Sequence, residues 1–436
     1  MSPLSRMRAA ASTTPGLYRV LSLVVAALLA LTALAGTIAA GAAERATARL
    51  RDNTGPVLVA TQSLLASLAE ADAAATAALL SGAEEDREQR RLYEEALARA
   101  SVQSEEISAL IGDDADAHDD LKRLSIRINR YAGLIEAARA TSRLGSPDSE
   151  QYLLAALDEL ATGVRADAAS LTEASERRFD RDERERSRFL VVAVVIGVVA
   201  LTALAATGVV LARRSRRLIN PLLLLATLVT LASVGWLASS DVRAGRRLDL
   251  ARDEAYQSIA LTARIQSAAF AARTDESVAL IADDADRRTS ADSAATDVLA
   301  GSVDEGLLVL VREGQATDVA RGLLVDAALA ADTARERAAV AEAMVRWQRY
   351  RETVSTLRSS SGDAARAVAV GPGSATFNGF NFSLEAVLGE NRDQFLDAIE
   401  RARDATRYLA TITLFLPLLA AAAALAGIQT RINEYR

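Results

Sequence analysis

Four stretches of this chain carry no charged residue, and each is long enough to cross a lipid bilayer. They run Val20–Ala43 (24 residues), Phe189–Ala212 (24), Leu218–Ser240 (23) and Tyr408–Thr430 (23). A hydrocarbon core about 30 Å thick needs roughly 20 apolar residues at about 1.5 Å each. In hydrocarbon a backbone must satisfy its own hydrogen bonds, so each stretch is committed to helix. Half of the 436 residues are hydrophobic, a quarter are charged, and mean hydropathy is +0.13. Those values coexist because apolar and charged residues are segregated along the chain. The composition predicts an all-α polytopic membrane protein with four spans.

Charge orients it. Arg6, Arg8 and Arg19 precede the first span, RRSRR (Arg213, Arg214, Arg216, Arg217) joins the second to the third, and Arg431, Glu434 and Arg436 follow the fourth. That side carries a net +8, whereas segments 44–188 and 241–407 carry −9 and −6. Short arginine-rich loops stay in the cytoplasm, and large segments translocate largely regardless of charge. The expected order is therefore a cytoplasmic N-terminus (1–19), TM1 (20–43), an extracytoplasmic segment (44–188) and TM2 (189–212). A cytoplasmic loop (213–217), TM3 (218–240), a second extracytoplasmic segment (241–407), TM4 (408–430) and a cytoplasmic tail (431–436) complete it. The plasma membrane is the expected location. Ala40-Gly41-Ala42 offers small residues for signal cleavage, but the stretch is longer than a signal core of roughly 7–15 residues. An uncleaved anchor is expected.

Both exported segments read as antiparallel four-helix bundles. In the first, Leu121, Leu124, Ile128, Tyr131 and Ile135, and then Leu153, Leu157, Leu160, Val164, Ala168 and Leu171, recur at three and four. That period places them on one helical face. Breaks are expected at SGAEED (81–86), IGDDAD (111–116) and LGSPDSE (144–150), where glycines suit helix ends and acids or Pro147 suit starts. Gly55-Pro56 should break or kink the opening helix. The plan recurs: TAALLSGAEED (76–86) resembles SVALIADDAD (277–286), and NRYAGLIEAAR (129–139) resembles QRYRETVSTLR (348–358). The chain is thus a tandem repeat, with GSVDEGLLVLVREG (301–314) as the insertion in its second half. Opening helices of roughly 38 residues would reach about 60 Å from the bilayer.

Chemistry-bearing residues are scarce. The absence of cysteine excludes disulfides, thiol catalysis and cysteine-ligated metals, and one histidine, His118, makes a histidine-based triad or metal site untenable. No catalytic, cofactor or metal residue is assigned, and neither an enzyme nor a nucleic-acid partner is expected. DDADAHDD (113–120) lacks the glycine and terminal glutamate of a calcium loop and reads as a helix-capping turn. VGPGSATFNGFNFSLEAVLGENRDQF (370–395) holds four of the eight phenylalanines. Its glycine, proline and asparagine read as a loop at the distal tip, with Phe377, Asn378, Phe380, Asn381 and Phe382 as candidate docking residues. The competing reading has these rings plugging the bundle end. Trp347 and Tyr350 read as core.

Arg213, Arg214, Arg216 and Arg217 set topology and are the candidate contact for a cytoplasmic acidic protein or anionic lipid. Thr32, Gly36 and Ala40, and Ala423 and Gly427, have small-xxx-small spacing, which permits close helix contact within the chain or in a homodimer. The spans hold no charged residue and are split in pairs by long segments, which argues against a transporter.

A long antiparallel bundle between two membrane helices resembles the four-helix-bundle sensory domains of bacterial chemoreceptors and histidine kinases. Those continue into a cytoplasmic output module, whereas the cytoplasmic parts expected here are short. The complete layout, down to the RINEYR tail, is similar to the actinobacterial membrane proteins of the GlnX type. That resemblance implies amino-acid sensing with a glutamate/aspartate-binding lipoprotein outside and the soluble protein kinase G inside. The function expected is a non-enzymatic transmembrane relay; a scaffolding protein of the cell envelope is the alternative. Neither reading names the ligand or requires a cofactor.

Overall fold

The computed structural model describes residues 14–80, 87–112, 114–215, 220–250, 257–282, 284–315, 318–406 and 408–433. Among these the regular elements are helical, and the sole strand-like pairing is an isolated bridge between Ala300 and Arg321. The all-α membrane fold expected from the sequence is the observed one.

The chain divides into two compact units, one taking in the described residues of Met1–Leu50, Arg178–Asp249 and Ala398–Arg436, the other Arg51–Arg177 and Leu250–Asp397. The first unit contains α1 (Thr14–Arg49), the C-terminal part of α6 (Arg165–Ser215), α7 (Pro221–Leu250) and α15 (Leu409–Asn433). Four helices are long and apolar enough to cross a membrane. The one that includes α1 continues in sequence to Leu80, but its uncharged part is Val20–Ala43; residues beyond Arg51 belong to the second unit. Val25 and Leu29 of α1, Leu204 of α6, Ala226 of α7 and Ala424 of α15 share one buried cluster.

Small residues set these contacts. A Cβ on Gly36 would stand 3.0 Å from Thr413 Cβ, and one on Gly197 only 2.5 Å from Val234 Cγ2. Asn220 caps α7 through its Oδ1, which accepts from Leu222 N at 3.2 Å, and its Nδ2 donates to Gly427 O at 2.8 Å. The small-residue spacing around Gly36 and Gly427 is therefore used within the chain.

In the second unit the first long segment between apolar stretches, residues 44–188, folds as α2 (Gly55–Leu80), α3 (Arg87–Leu110), α4 (Ala115–Arg143), α5 (Asp148–Asp158) and the start of α6. A π-turn at Leu50–Thr54 separates α1 from α2. It falls just before Pro56, whose missing N–H leaves a carbonyl one turn earlier without its helical donor. Asp114 caps α4 by accepting from Ala117 N at 3.0 Å, and Gly112 and Gly145 take positive φ (59° and 66°) at the two helix ends. The acidic 113–120 stretch thus behaves as capping chemistry, though Asp113 lies outside the described residues. So does the expected SGAEED break at 81–86.

The second long segment, residues 241–407, gives α8 (Gln257–Ala282), α9 (Ala285–Val298), α10 (Glu305–Glu313), α11 (Leu323–Ala330), α12 (Ala334–Ser359), α13 (Gly362–Val368) and α14 (Ser374–Thr406). Three short helices, α9 to α11, stand where the first segment has α3 alone. GSVDEGLLVLVREG supplies only α10, so the departure from the repeat is larger than the sequence suggested.

A second correction concerns residues 370–395, which are helix and not loop. Phe377, Phe380, Leu384 and Val387 are spaced 3, 4 and 3 and all face the core. Pro372 is accommodated in a π-turn at Ala369–Gly373. A π-turn at Glu159–Val164 occupies the corresponding place in the first segment's last helix, between α5 and α6.

The Gly197 contact makes a prediction. Gly197→Leu should lower the melting temperature of the purified protein, with overpacking costing about 1–3 kcal/mol. Gly235→Leu, at a glycine whose Cβ would meet nothing within 4 Å, should leave it nearly unchanged.

Candidate functional site: a buried polar seam between the repeats

Helices α2 and α8 hold equivalent places in the two segments and pack against each other within the second unit. Nearly every residue of α2 from Ser67 to Ala78 is buried, since one side faces its own bundle and another faces α8. Ala69 and Ala73 belong to the core of the second segment, and Val278 belongs to that of the first. Alanines let the backbones approach, and a long polar side chain between them must find partners there or remain unsatisfied.

Asp72 is such a side chain, 6% exposed. Its Oδ1 accepts from Tyr131 Oη at 3.3 Å and its Oδ2 from Thr274 Oγ1 at 3.2 Å. Among the described residues it forms no ion pair. Burial pushes its carboxyl from 3.8 up to about 7, against the smaller lowering effects of the two hydroxyls and the Arg165 charge. The same burial, with Asp72 beside it, holds the Tyr131 phenol well above its usual value. Tyr93 Oη is buried with no hydrogen-bond partner among the described residues.

The 201-residue offset of the repeat places Arg273 where the first segment has Asp72. It is 6% exposed and, among the described residues, also without a carboxylate partner. One guanidinium nitrogen donates to Ser374 Oγ at 2.9 Å and to Gln89 Oε1 at 3.4 Å, and the Arg273 guanidinium carbon lies 4.8 Å from the Phe377 ring centroid. Gln89 Nε2 donates to Ser374 Oγ at 3.2 Å, so this group ties α3, α8 and α14 together. Burial lowers the Arg273 pKa. Other buried charges are answered conventionally. Arg358 Nε donates to Glu276 Oε1 at 3.0 Å and its Nη1 to Asp292 at 2.7 Å. Arg127 bonds Glu159 at 2.9 Å and Asp167 at 2.7 Å.

A cavity of about 350 Å³ opens along the seam. Buried Asp72, Thr274, Phe270 and Ala69 line it together with exposed Asp158, Ala161 and Arg165. No group of three or more potential metal-ligating side chains occurs among the described residues.

The sequence-assigned residues fall elsewhere. Phe377 and Phe380 are 1% and 0% exposed, stacked among Phe270 (5.0 Å), Tyr350 (5.1 Å) and Trp347 (4.7 Å between centroids). Their reading as exposed docking rings is corrected: they are core along the length of a helix. Asn381 Oδ1 accepts from Gln266 Nε2 at 3.3 Å, Asn378 is exposed, and Phe382 is 68% exposed. Arg213 is exposed near the end of α6, Arg214 lies in the same helix, and Arg216 and Arg217 lie outside the described residues. Sequence reasoning missed Asp72, whose signal was present: Leu64, Leu68 and Asp72 are spaced by four, which puts an acid in a buried stripe.

Two expectations follow. Between about pH 4 and pH 7 the unfolded chain loses the Asp72 proton while the folded chain keeps it, so stability falls as pH rises through this window and is level above it. Asp72→Asn should remove that slope and raise the melting temperature at pH 8, as read by thermal unfolding from pH 5 to 8. Separately, Phe380→Ala should cost about 3–5 kcal/mol in unfolding experiments, whereas Phe382→Ala should change stability by under about 0.5 kcal/mol.

Residues 46–184 match the family described as Actinobacterial sensor domain. No curated protein and no solved structure matches the chain. The match covers most of the first long segment, including Asp72 and Tyr131. Together with four helices apolar enough to cross a membrane, it supports an actinobacterial membrane protein with a sensor or signalling role.

Proposed function

We propose that the chain is a non-enzymatic relay in the plasma membrane, with residues 44–188 and 241–407 outside and both termini and the RRSRR loop inside. The observation that carries this reading is the sensor-domain match over 46–184, set between two apolar stretches. The +8 against −9 and −6 charge distribution supports the orientation. An extracytoplasmic solute-binding lipoprotein, for acidic amino acids or glutamine, or the ligand itself, engages the exported helices. Asn378 and Phe382 of α14 offer exposed side chains for such docking. Small shifts of packed helices pass the occupancy on, and α6, one helix from Arg165 to Ser215, runs from sensor-matching residues into the second apolar stretch. Arg213, Arg214, Arg216 and Arg217 then meet a kinase pathway or anionic lipid on the inner face.

Crosslinking in intact membranes, with and without external glutamate or aspartate, tests the relay. The expected outcome is capture of a binding lipoprotein and a ligand-dependent change in a cytoplasmic partner. Absence of both rejects the relay and leaves the scaffold.

A further inference from the structure

The seam cavity has a chemical bias. Asp72, lining it, is a carboxyl buried to 6% exposure whose hydrogen-bond partners are two hydroxyls and, among the described residues, no cation. A buried carboxyl held this way is stabilised by a cation more than by any neutral group. Of the charged groups around it, Arg287 of α9 is already answered by Asp275 of α8 at 2.9 Å. What remains on the walls is Asp158 of α5 and Arg165 of α6, neither in an ion pair among the described residues. Tyr131 of α4 faces Asp72 through its hydroxyl, and the Tyr93 hydroxyl of α3 has no partner among the described residues. With Asp72 ionised the lining holds three carboxylates against two guanidiniums. The remaining surface is apolar: Leu154, Leu157, Leu160 and Phe270. A volume of about 350 Å³ lies within the range of small-molecule sites, roughly 300–1,000 Å³.

We infer that this cavity binds a small organic monocation, an ammonium carried on a short apolar group, with the ammonium at Asp72 and the apolar part against Leu157, Leu160 and Phe270. The inference goes beyond the relay reading by adding a second ligand class to the acidic amino acids or glutamine named there, and it rests on that reading only for what the binding is for. Occupancy ionises Asp72: the ligand's positive charge replaces the carboxyl proton, which leaves to solvent. Binding is thereby coupled to proton release. With Asp72 titrating at about 7, affinity should be about tenfold weaker at pH 6 than at pH 8.

The test uses the full chain in detergent micelles and three probes of one shape: 2-phenylethylammonium, 2-phenylethanol and 3-phenylpropionate. The expected result is a rise in melting temperature with the ammonium alone, larger at pH 8 than at pH 6. Calorimetry in buffers of different ionisation enthalpy should show net proton release at pH 6. Asp72→Asn should abolish the rise. Ala161→Trp, at the exposed mouth, should abolish it too, and it carries the test if Asp72→Asn does not fold. Equal shifts with the alcohol, preference for the carboxylate, no shift with any probe, or an undiminished shift in the variants would each overturn the inference. Those outcomes leave the crosslinking result untouched. Retained ammonium binding with no crosslinked partner would reject the relay and leave the site standing.

Discussion

The close packing of α2 on α8 is the constraint on which the second unit depends. A helix that serves its own bundle on one side and a neighbouring bundle on another has almost no face left for water. Ala69, Ala71 and Ala73 to Ala75 are all below 8% exposed, and their small side chains bring the two backbones together. Once the backbones are close, any polar atom on the seam is cut off from solvent. Asp72 and Arg273 therefore owe their perturbed chemistry to the alanines around them. In a looser seam both would be solvated and ordinary.

The way the two charges are held follows from that constraint. Burying opposite charges without pairing them is costly. The structure limits the cost differently on each side. Asp72 is kept near neutrality by desolvation and shares its oxygens with Tyr131 and Thr274. Arg273, which cannot lose its proton in any accessible range, spreads its charge over a hydroxyl, an amide oxygen and the Phe377 ring. The aromatic cluster of Phe270, Trp347, Tyr350, Phe377 and Phe380 thus packs the second segment's core and also faces a cation.

Much of this architecture was legible in the sequence because its signals are local. Uncharged runs give the four long apolar helices. Gly112, Asp114, Gly145 and Pro147 mark breaks within a residue or two of where the helices stop and start. Residues 370–395 were misread because glycine, proline and asparagine suggest a loop, while the Phe377–Phe380–Leu384–Val387 spacing carried the stronger, helical message. Pro372 is tolerated there because a π-turn already interrupts the regular hydrogen-bond ladder. The division of α9, α10 and α11 follows from Asp284 and Asp304, each capping a new helix, and from the extended connections between them. The seam was illegible for a different reason. Asp72 meets Thr274 across about 200 residues of sequence, and no local pattern says which helix will lie against which.

The repeat also bears on how the two halves recognise each other. The residue that stands to the first segment as Thr274 does to the second is Ala73. Were two copies of the first segment to form this seam with each other, each Asp72 would face a methyl group where it now receives a hydroxyl. A buried carboxyl would then be short of one of its two donors, at a cost of about 1–3 kcal/mol per side. The seam is thus heterologous by composition: the carboxyl of Asp72 on one side is matched by the hydroxyl of Thr274 on the other, which the first segment does not carry at the equivalent position. Joining both halves in one chain supplies the correct partner at a one-to-one ratio, with no need to find it by diffusion.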